Sequence, residues 1–159
     1  MAMKLPEDNI ELARLVVRHG IQHLKALGVD APVIEKGRVV MRLPWREDLV
    51  GNAETGVLHG GAITSLLDTA CGMAVMTMLQ DRIAIATIDL RIDYLKPATP
   101  RVDLLTEAVC YRLTRHVAFV RATAYHDDLD NAVAYGVGTF MIGSSDAVLP
   151  MRREELKTS

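Results

Sequence analysis

The chain has 159 residues, half of them apolar, with 18 basic side chains against 20 acidic ones and a net charge of −2. That length fits one domain, and that apolar content can fill its core. The charge balance argues against nucleic acid and against an anionic membrane surface as partners. Only two cysteines occur, Cys71 and Cys110, with no short C-x-x-C spacing. A disulfide framework or zinc knuckle is thereby disfavoured, and a reducing cytosol suits the composition.

The opening stretch MAMKLPEDNIELARLVV carries charges throughout and lacks the uninterrupted apolar run of a signal peptide. The cytoplasm is the expected location. Asp8 or Asn9 can cap a helix running to about Ala26, because Ile10, Leu12, Ala13, Val16, Val17, Ile21 and Leu24 keep helical spacing. His19 and His23 stand four apart on it. No third ligand is evident, so a solvated helix face is expected there rather than a metal site. Residues 33–35 and 38–43 flank Lys36 and Gly37, a hairpin signal, and 44–55 read as an irregular loop.

Residues 56–79 read as a long helix beginning near His59. Ile63, Leu66, Leu67, Ala70, Ala74, Val75 and Met78 cover most of its circumference, which marks a buried helix. The run 58–79 is long enough to raise the question of a membrane span. His59, three glycines, Asp68 and the absence of basic flanks point instead to a core helix. Beyond Gln80 and Asp81 the pattern changes. Residues 83–95, 102–113, 117–126 and 133–142 are rich in β-branched side chains and are parted by turn residues such as KPATP and DDLDN. Antiparallel strands joined in sequence are the simplest arrangement. Residues 144–159 are charged and expected to fray. The elements add up to an α+β layer: one long central helix wrapped by a curved antiparallel sheet. One face of each strand is left uncovered, which favours a partner subunit.

The chemistry concentrates in ETGVLHGGAITSLLDTACGMAV, residues 54–75. A helix start offers unpaired N–H groups and partial positive charge, and Gly60 and Gly61 let a substrate approach that backbone closely. The combination suits an oxyanion. Two glycines could equally just loosen the helix start or allow close packing. Asp68 is the sharper feature. Gly61, Thr64, Ser65 and Gly72 recur at three- or four-residue steps around it and leave room beside the carboxylate. A carboxylate on an apolar helix is costly unless it is paired or solvated. As a site group it could attack a carbonyl or activate a water; as a structural one it would be ion-paired or hydrogen-bonded. His59 at the helix start could donate a hydrogen bond while neutral, or simply hold the preceding loop. Gly60 and Asp68 lie about 12 Å apart along the helix, too far to grip one small reacting group. Two antiparallel copies of the helix would bring Gly60 of one chain to Asp68 of the other. A composite site in a two-fold homodimer follows.

The stretch GVLHGGAITSLLDTACGMA, with TIDLRIDYLKPA downstream, resembles hotdog-fold acyl-CoA thioesterases of the phenylacetate-pathway (PaaI-like) type. The likeness runs from about Arg38 to Ile142 and rests on Gly56, His59, Gly60, Gly61 and Asp68. It implies a single hotdog domain over 1–159: an N-terminal helix at about 8–27, a hotdog core at about 32–143, and a tail at 144–159. It implies hydrolysis of an acyl-CoA thioester, with Asp68 as nucleophile or general base and the Gly60 N–H of the other chain polarising the carbonyl. Thr87 matches a residue that orients the water. Asn52 matches an asparagine that holds the water or thioester, although GNAETG sets it one residue further from the glycine. Gly61 and Ser65 would line the substrate site. Arg91, Lys96, Arg112 and Arg115 are candidates for the coenzyme A phosphates. The acyl pocket would be lined by the central helix and the N-terminal segment, with Met73, Met76 and Met78 as flexible apolar surface, although methionines at helical spacing are more often simply core. No metal or bound cofactor is called for, and dimers are expected to pair into tetramers. Two other readings compete: a hotdog hydratase or dehydratase, and a non-catalytic acyl-CoA binding module.

Overall fold

The computed structural model describes residues 8–81 and 83–143; the tail expected to fray, 144–159, lies outside them. Two short helices open the chain, α1 (Asn9–Leu15) and α2 (Gln22–Leu27). A π-helical turn, Val16–Gly20, and an extended Ile21 separate them. The continuous helix expected from the spacing is thus interrupted. Gly20 is a poor helix former, and the wide turn keeps Val16, Val17 and Leu24 buried despite the break. It also takes His19 and His23 off a common helical face. Asp8 is the cap, accepting from the Ile10 N–H at 3.0 Å. Asn9 is buried and does something else: its Nδ2 donates to the Leu79 carbonyl at 2.5 Å, fastening α1 to the far end of the central helix.

β1 (Asp30–Glu35) and β2 (Arg38–Leu43) form the expected hairpin. A two-stranded ribbon, β3 (Val50–Asn52) with β4 (Val57–Leu58), takes up the end of the region expected to be irregular and the first residues of the stretch expected to be helical. The central helix α3 spans Gly60–Met78. Four long strands follow: β5 (Ile85–Tyr94), β6 (Leu104–Leu113), β7 (Val117–Tyr125) and β8 (Ala134–Ile142). With β1 and β2 they make one antiparallel sheet in the order β1-β2-β6-β7-β8-β5. The architecture is α+β, a central helix with a curved sheet, as expected. The connection is not the simplest one. β6, β7 and β8 are a meander, but β5 skips β6 and pairs with β8, Thr87 opposite Phe140 and Tyr94 opposite Ala134. The nine-residue connection after β5 is too long for a tight hairpin and crosses the end of the sheet. His126 holds it there: Nε2 accepts from the Thr99 N–H and Nδ1 meets the Asp103 carbonyl, both at 2.8 Å.

The helix can sit close to the sheet because the facing side chains are small. Ala108 on β6, Ala118, Ala122 and Ala124 on β7, and Ala134 on β8 are all buried. A methyl added at Gly136 would stand 3.5 Å from Leu67 Cδ2. Leu66, Leu67, Ala70, Ala74 and Val75 fill that space from the helix side with no exposure. α3 is long and apolar enough to cross a membrane, yet two thirds of it is buried inside the protein. The sheet accounts for its apolarity.

The β1–β2 turn locks onto the end of α3. The Gly37 N–H donates to Thr77 Oγ1 at 2.9 Å, and the Gly37 carbonyl accepts from Cys110 N–H at 2.8 Å. Gly37 has φ +75°, and an added Cβ would meet Met78 Sδ at 2.8 Å. Gly37→Ala is therefore expected to cost about 1–3 kcal/mol in urea-unfolding experiments, combining left-handed strain with displacement of Met78.

Candidate active site

His59 caps α3: its Nδ1 accepts from the Gly61 N–H at 2.9 Å. That bond fixes the neutral ring as the Nε2–H tautomer. It also means the Gly61 amide is already engaged. The Gly60 N–H is the free one; among the described residues it has no acceptor. A side chain at residue 61 would strike the His59 ring at 2.9 Å, which is the local reason for glycine there.

Asp68 lies two turns further along α3, half-buried. Thr87 Oγ1 donates to its Oδ1 at 2.9 Å, so the carboxylate is oriented from β5. No ion pair holds Asp68 among the described residues. The small-residue stripe is largely filled. Thr64 Oγ1 meets Tyr94 Oη at 3.0 Å, and Ser65 Oγ donates to the Gly61 carbonyl and meets His23 Nε2, both at 3.0 Å. Phe140 and Ile85 pack over Gly72. The open side of Asp68 is the β5 edge, where Thr87, Ile88 and Asp89 are exposed.

β5 runs antiparallel to α3. Its first half meets Asp68 through Thr87, and its last residue, Tyr94, donates to the Gly60 carbonyl at 2.8 Å. Roughly 20 Å of extended strand separates the two contacts. One chain thus holds its carboxylate and its free helix-end amide apart.

Asn52 supports its own turn: Oδ1 accepts from the Glu54 N–H at 2.9 Å, and its carbonyl accepts from Thr55 and Gly56. Arg91 pairs with Asp93 at 3.0 Å, and Lys96 Nζ bonds Asn131 Oδ1. Arg112 and Arg115 are exposed and have no ion pair among the described residues. Arg115 lies in the β6–β7 turn, at the sheet end that holds Ala86 and Thr87; Lys96 lies at the other end, past Tyr94. Met73 and Met76 are core side chains, 4% and 7% exposed, and Met78 covers Gly37. Two cavities flank the start of α3. One, about 410 Å³, is walled by Leu58, Gly60, Ile63, Tyr94, Leu95 and Ala98. The other, about 290 Å³, lies between His23, Leu27, Leu49, His59, Gly61 and Ser65. Of these contacts, those of Tyr94 and His23 were not foreseen. Tyr94 closes the motif TIDLRIDY, and only its place at the strand end brings it to α3.

The chain matches the family model of the thioesterase superfamily over residues 55–133. It is 30% identical to the medium/long-chain acyl-CoA thioesterase YigI of Salmonella typhimurium, covering 75% of this chain and 84% of that protein. A crystal structure of a Pseudomonas aeruginosa protein shares 41% identity at a TM-score of 0.75, covering 84% of this chain and 98% of that one. A point mutant of the phenylacetic acid degradation protein PaaI from Thermus thermophilus shares 26% at 0.67, covering 76% and 98%. Together with the helix-in-sheet architecture and the HGG helix start, these place the chain in the thioesterase superfamily of hotdog-fold proteins. It is a hydrolase of the thioester class.

Two outcomes follow from the helix start and the residues beneath it. His59→Ala should lose about 1 kcal/mol in chemical unfolding, and His59→Asn, which can still cap, should recover most of it. Burial pushes the Cys71 thiol up to about 12, with the nearby Asp68 carboxylate and Cys110 adding to the effect. Because only the thiolate alkylates, iodoacetamide at about pH 8 should leave Cys71 unlabelled in the folded protein and label it once unfolded, as read by mass spectrometry.

Proposed function

We propose that this protein hydrolyses acyl-CoA thioesters as a homodimer, at two equivalent sites shared between the chains. The observation that carries this reading is the separation of an oriented carboxylate, Asp68, from an unengaged helix-end amide, Gly60, at opposite ends of the same edge strand. β5 is ten residues long and, among the described residues, pairs on one side only. Such an edge invites a second strand. Antiparallel pairing of two β5 strands about a two-fold axis near Leu90 and Arg91 sets Thr87 of one chain beside the neighbour's Tyr94. Asp68 then faces the Gly60 amide of the other subunit.

In that arrangement the thioester carbonyl oxygen accepts from the Gly60 N–H, which strengthens as negative charge develops. Asp68 either attacks the carbonyl carbon or takes a proton from a water that does. The tetrahedral intermediate expels the coenzyme A sulfur, which leaves as the thiol after protonation. If Asp68 attacks, water hydrolyses the resulting anhydride; either route yields the free acid. Thr87 holds the carboxylate in place. The Arg115 of one subunit and the Lys96 of the other fall at the same end of this site, which favours them for the nucleotide phosphates. The chemistry draws on a carboxylate and a backbone dipole and needs neither metal nor cofactor. A coenzyme A substrate accords with a cytoplasmic enzyme, and the exposed Tyr135, Val137 and Met141 on the outer sheet face favour pairing of dimers.

Asp68→Asn should lower kcat on a panel of acyl-CoAs by about 100-fold or more, with thiol release as the readout. Gly60 is the first residue of α3, where proline is tolerated but lacks the N–H, so Gly60→Pro should also be inactive. Statistical mixing of the two inactive chains, by refolding together, should restore about a quarter of wild-type activity, because half the dimers are hybrids and each hybrid rebuilds one of its two sites. A mixture as inactive as its components would end the shared-site reading.

A further inference from the structure

Gly60 and Gly61 make the start of α3 the least restrained backbone in the helix, because neither residue has a Cβ. A catalytic amide in such a segment would wander unless something else fixed it. Two groups do so. The peptide joining Gly60 to Gly61 is held at both ends: its N–H donates to His59 Nδ1 at 2.9 Å, and its carbonyl accepts the Tyr94 O–H at 2.8 Å. Tyr94 Oη is itself steadied by Thr64 Oγ1 at 3.0 Å. The same oxygen would lie 3.3 Å from a Cβ at residue 60, so the tyrosine occupies the space a side chain would have used to restrict that residue.

We propose that Tyr94 is a positioning residue that aims the Gly60 amide at the oxyanion of the thioester reaction; the inference rests on the reading of Gly60 given above. The effect belongs to the transition state. An amide a few tenths of an ångström out of place still tolerates a neutral carbonyl, but it loses much of its attraction for a localised negative charge. Loss of the Tyr94 hydroxyl therefore lowers kcat and leaves KM nearly unchanged.

The test uses Tyr94→Phe, which keeps the half-exposed ring and removes only the hydrogen bond. Its kcat should fall about tenfold with KM within about twofold of wild type. A trifluoromethyl-ketone analogue of the acyl-CoA, which forms a tetrahedral adduct, should bind about tenfold more weakly, and a thioether analogue of the ground state should bind as before. Tyr94→Gln, with an amide donor in place of the hydroxyl, should recover part of the rate. Tyr111→Phe, which removes an exposed hydroxyl on the outer face of the sheet, should be indistinguishable from wild type. The idea is overturned if Tyr94→Phe keeps its kcat. It is equally overturned if both analogues weaken together, or if the dimer dissociates, since those results mark a general loss of architecture. Asp68→Asn is run alongside. An active Asp68→Asn would sink the reading of the site itself, whereas a wild-type rate in Tyr94→Phe beside an inactive Asp68→Asn would sink only the role of Tyr94.

Discussion

A nineteen-residue helix that is apolar nearly all round must be covered on nearly all sides, and the rest of the structure answers that demand. No single strand pair could do it. Six strands curve around α3, and alanines and glycines on their inner faces let backbone approach backbone. The N-terminal helices close the remaining flank, with Asn9 tied to the Leu79 carbonyl just past the end of α3. Of the polar side chains of the helix, Thr64, Ser65, Asp68 and Thr69 are left to the margins of this wrapping, while Thr77 is buried and held by the Gly37 N–H. Thr64 and Asp68 emerge on the flank covered by the edge strand β5, where Tyr94 and Thr87 meet them.

The position of β5 then determines what one subunit can do. Because β5 lies antiparallel to α3, it touches the helix start with its last residue and Asp68 with its third. Each of those contacts organises one half of the reaction proposed above. The half-sites are well ordered individually, yet they are too far apart to act together within a chain. In the proposed dimer, catalytic competence would be coupled to assembly without any moving part.

Much of this was legible in the sequence, for reasons that differ by element. The hairpin turn at Lys36 and Gly37 announces itself because only glycine accommodates the backbone there at no cost. The four long strands are visible from their β-branched content, and α3 from apolarity in every direction. Strand order was not legible: alternation reports that a segment is a strand and which face is buried, but says nothing of which neighbour it will choose. The break between α1 and α2 escaped because apolar spacing survives a single wide turn almost unchanged. Among site residues, His59, Gly60 and Asp68 could be picked out because their chemistry contrasts with their surroundings. Tyr94 could not, since a tyrosine at a strand end is commonplace until the fold carries it to the helix start. Met73 and Met76 could be pocket lining or core as far as one dimension tells, and are core in three.

Cys71 stands one helical turn beyond Asp68, so a reaction that liberates a thiol would do so close to a protein sulfur. Two sulfurs in such proximity ordinarily risk a mixed disulfide, which would leave the enzyme blocked by its own leaving group. Full enclosure beneath the sheet keeps Cys71 protonated and unreachable. The packing that covers the helix thereby makes the protein resistant to capture by its product under oxidising stress.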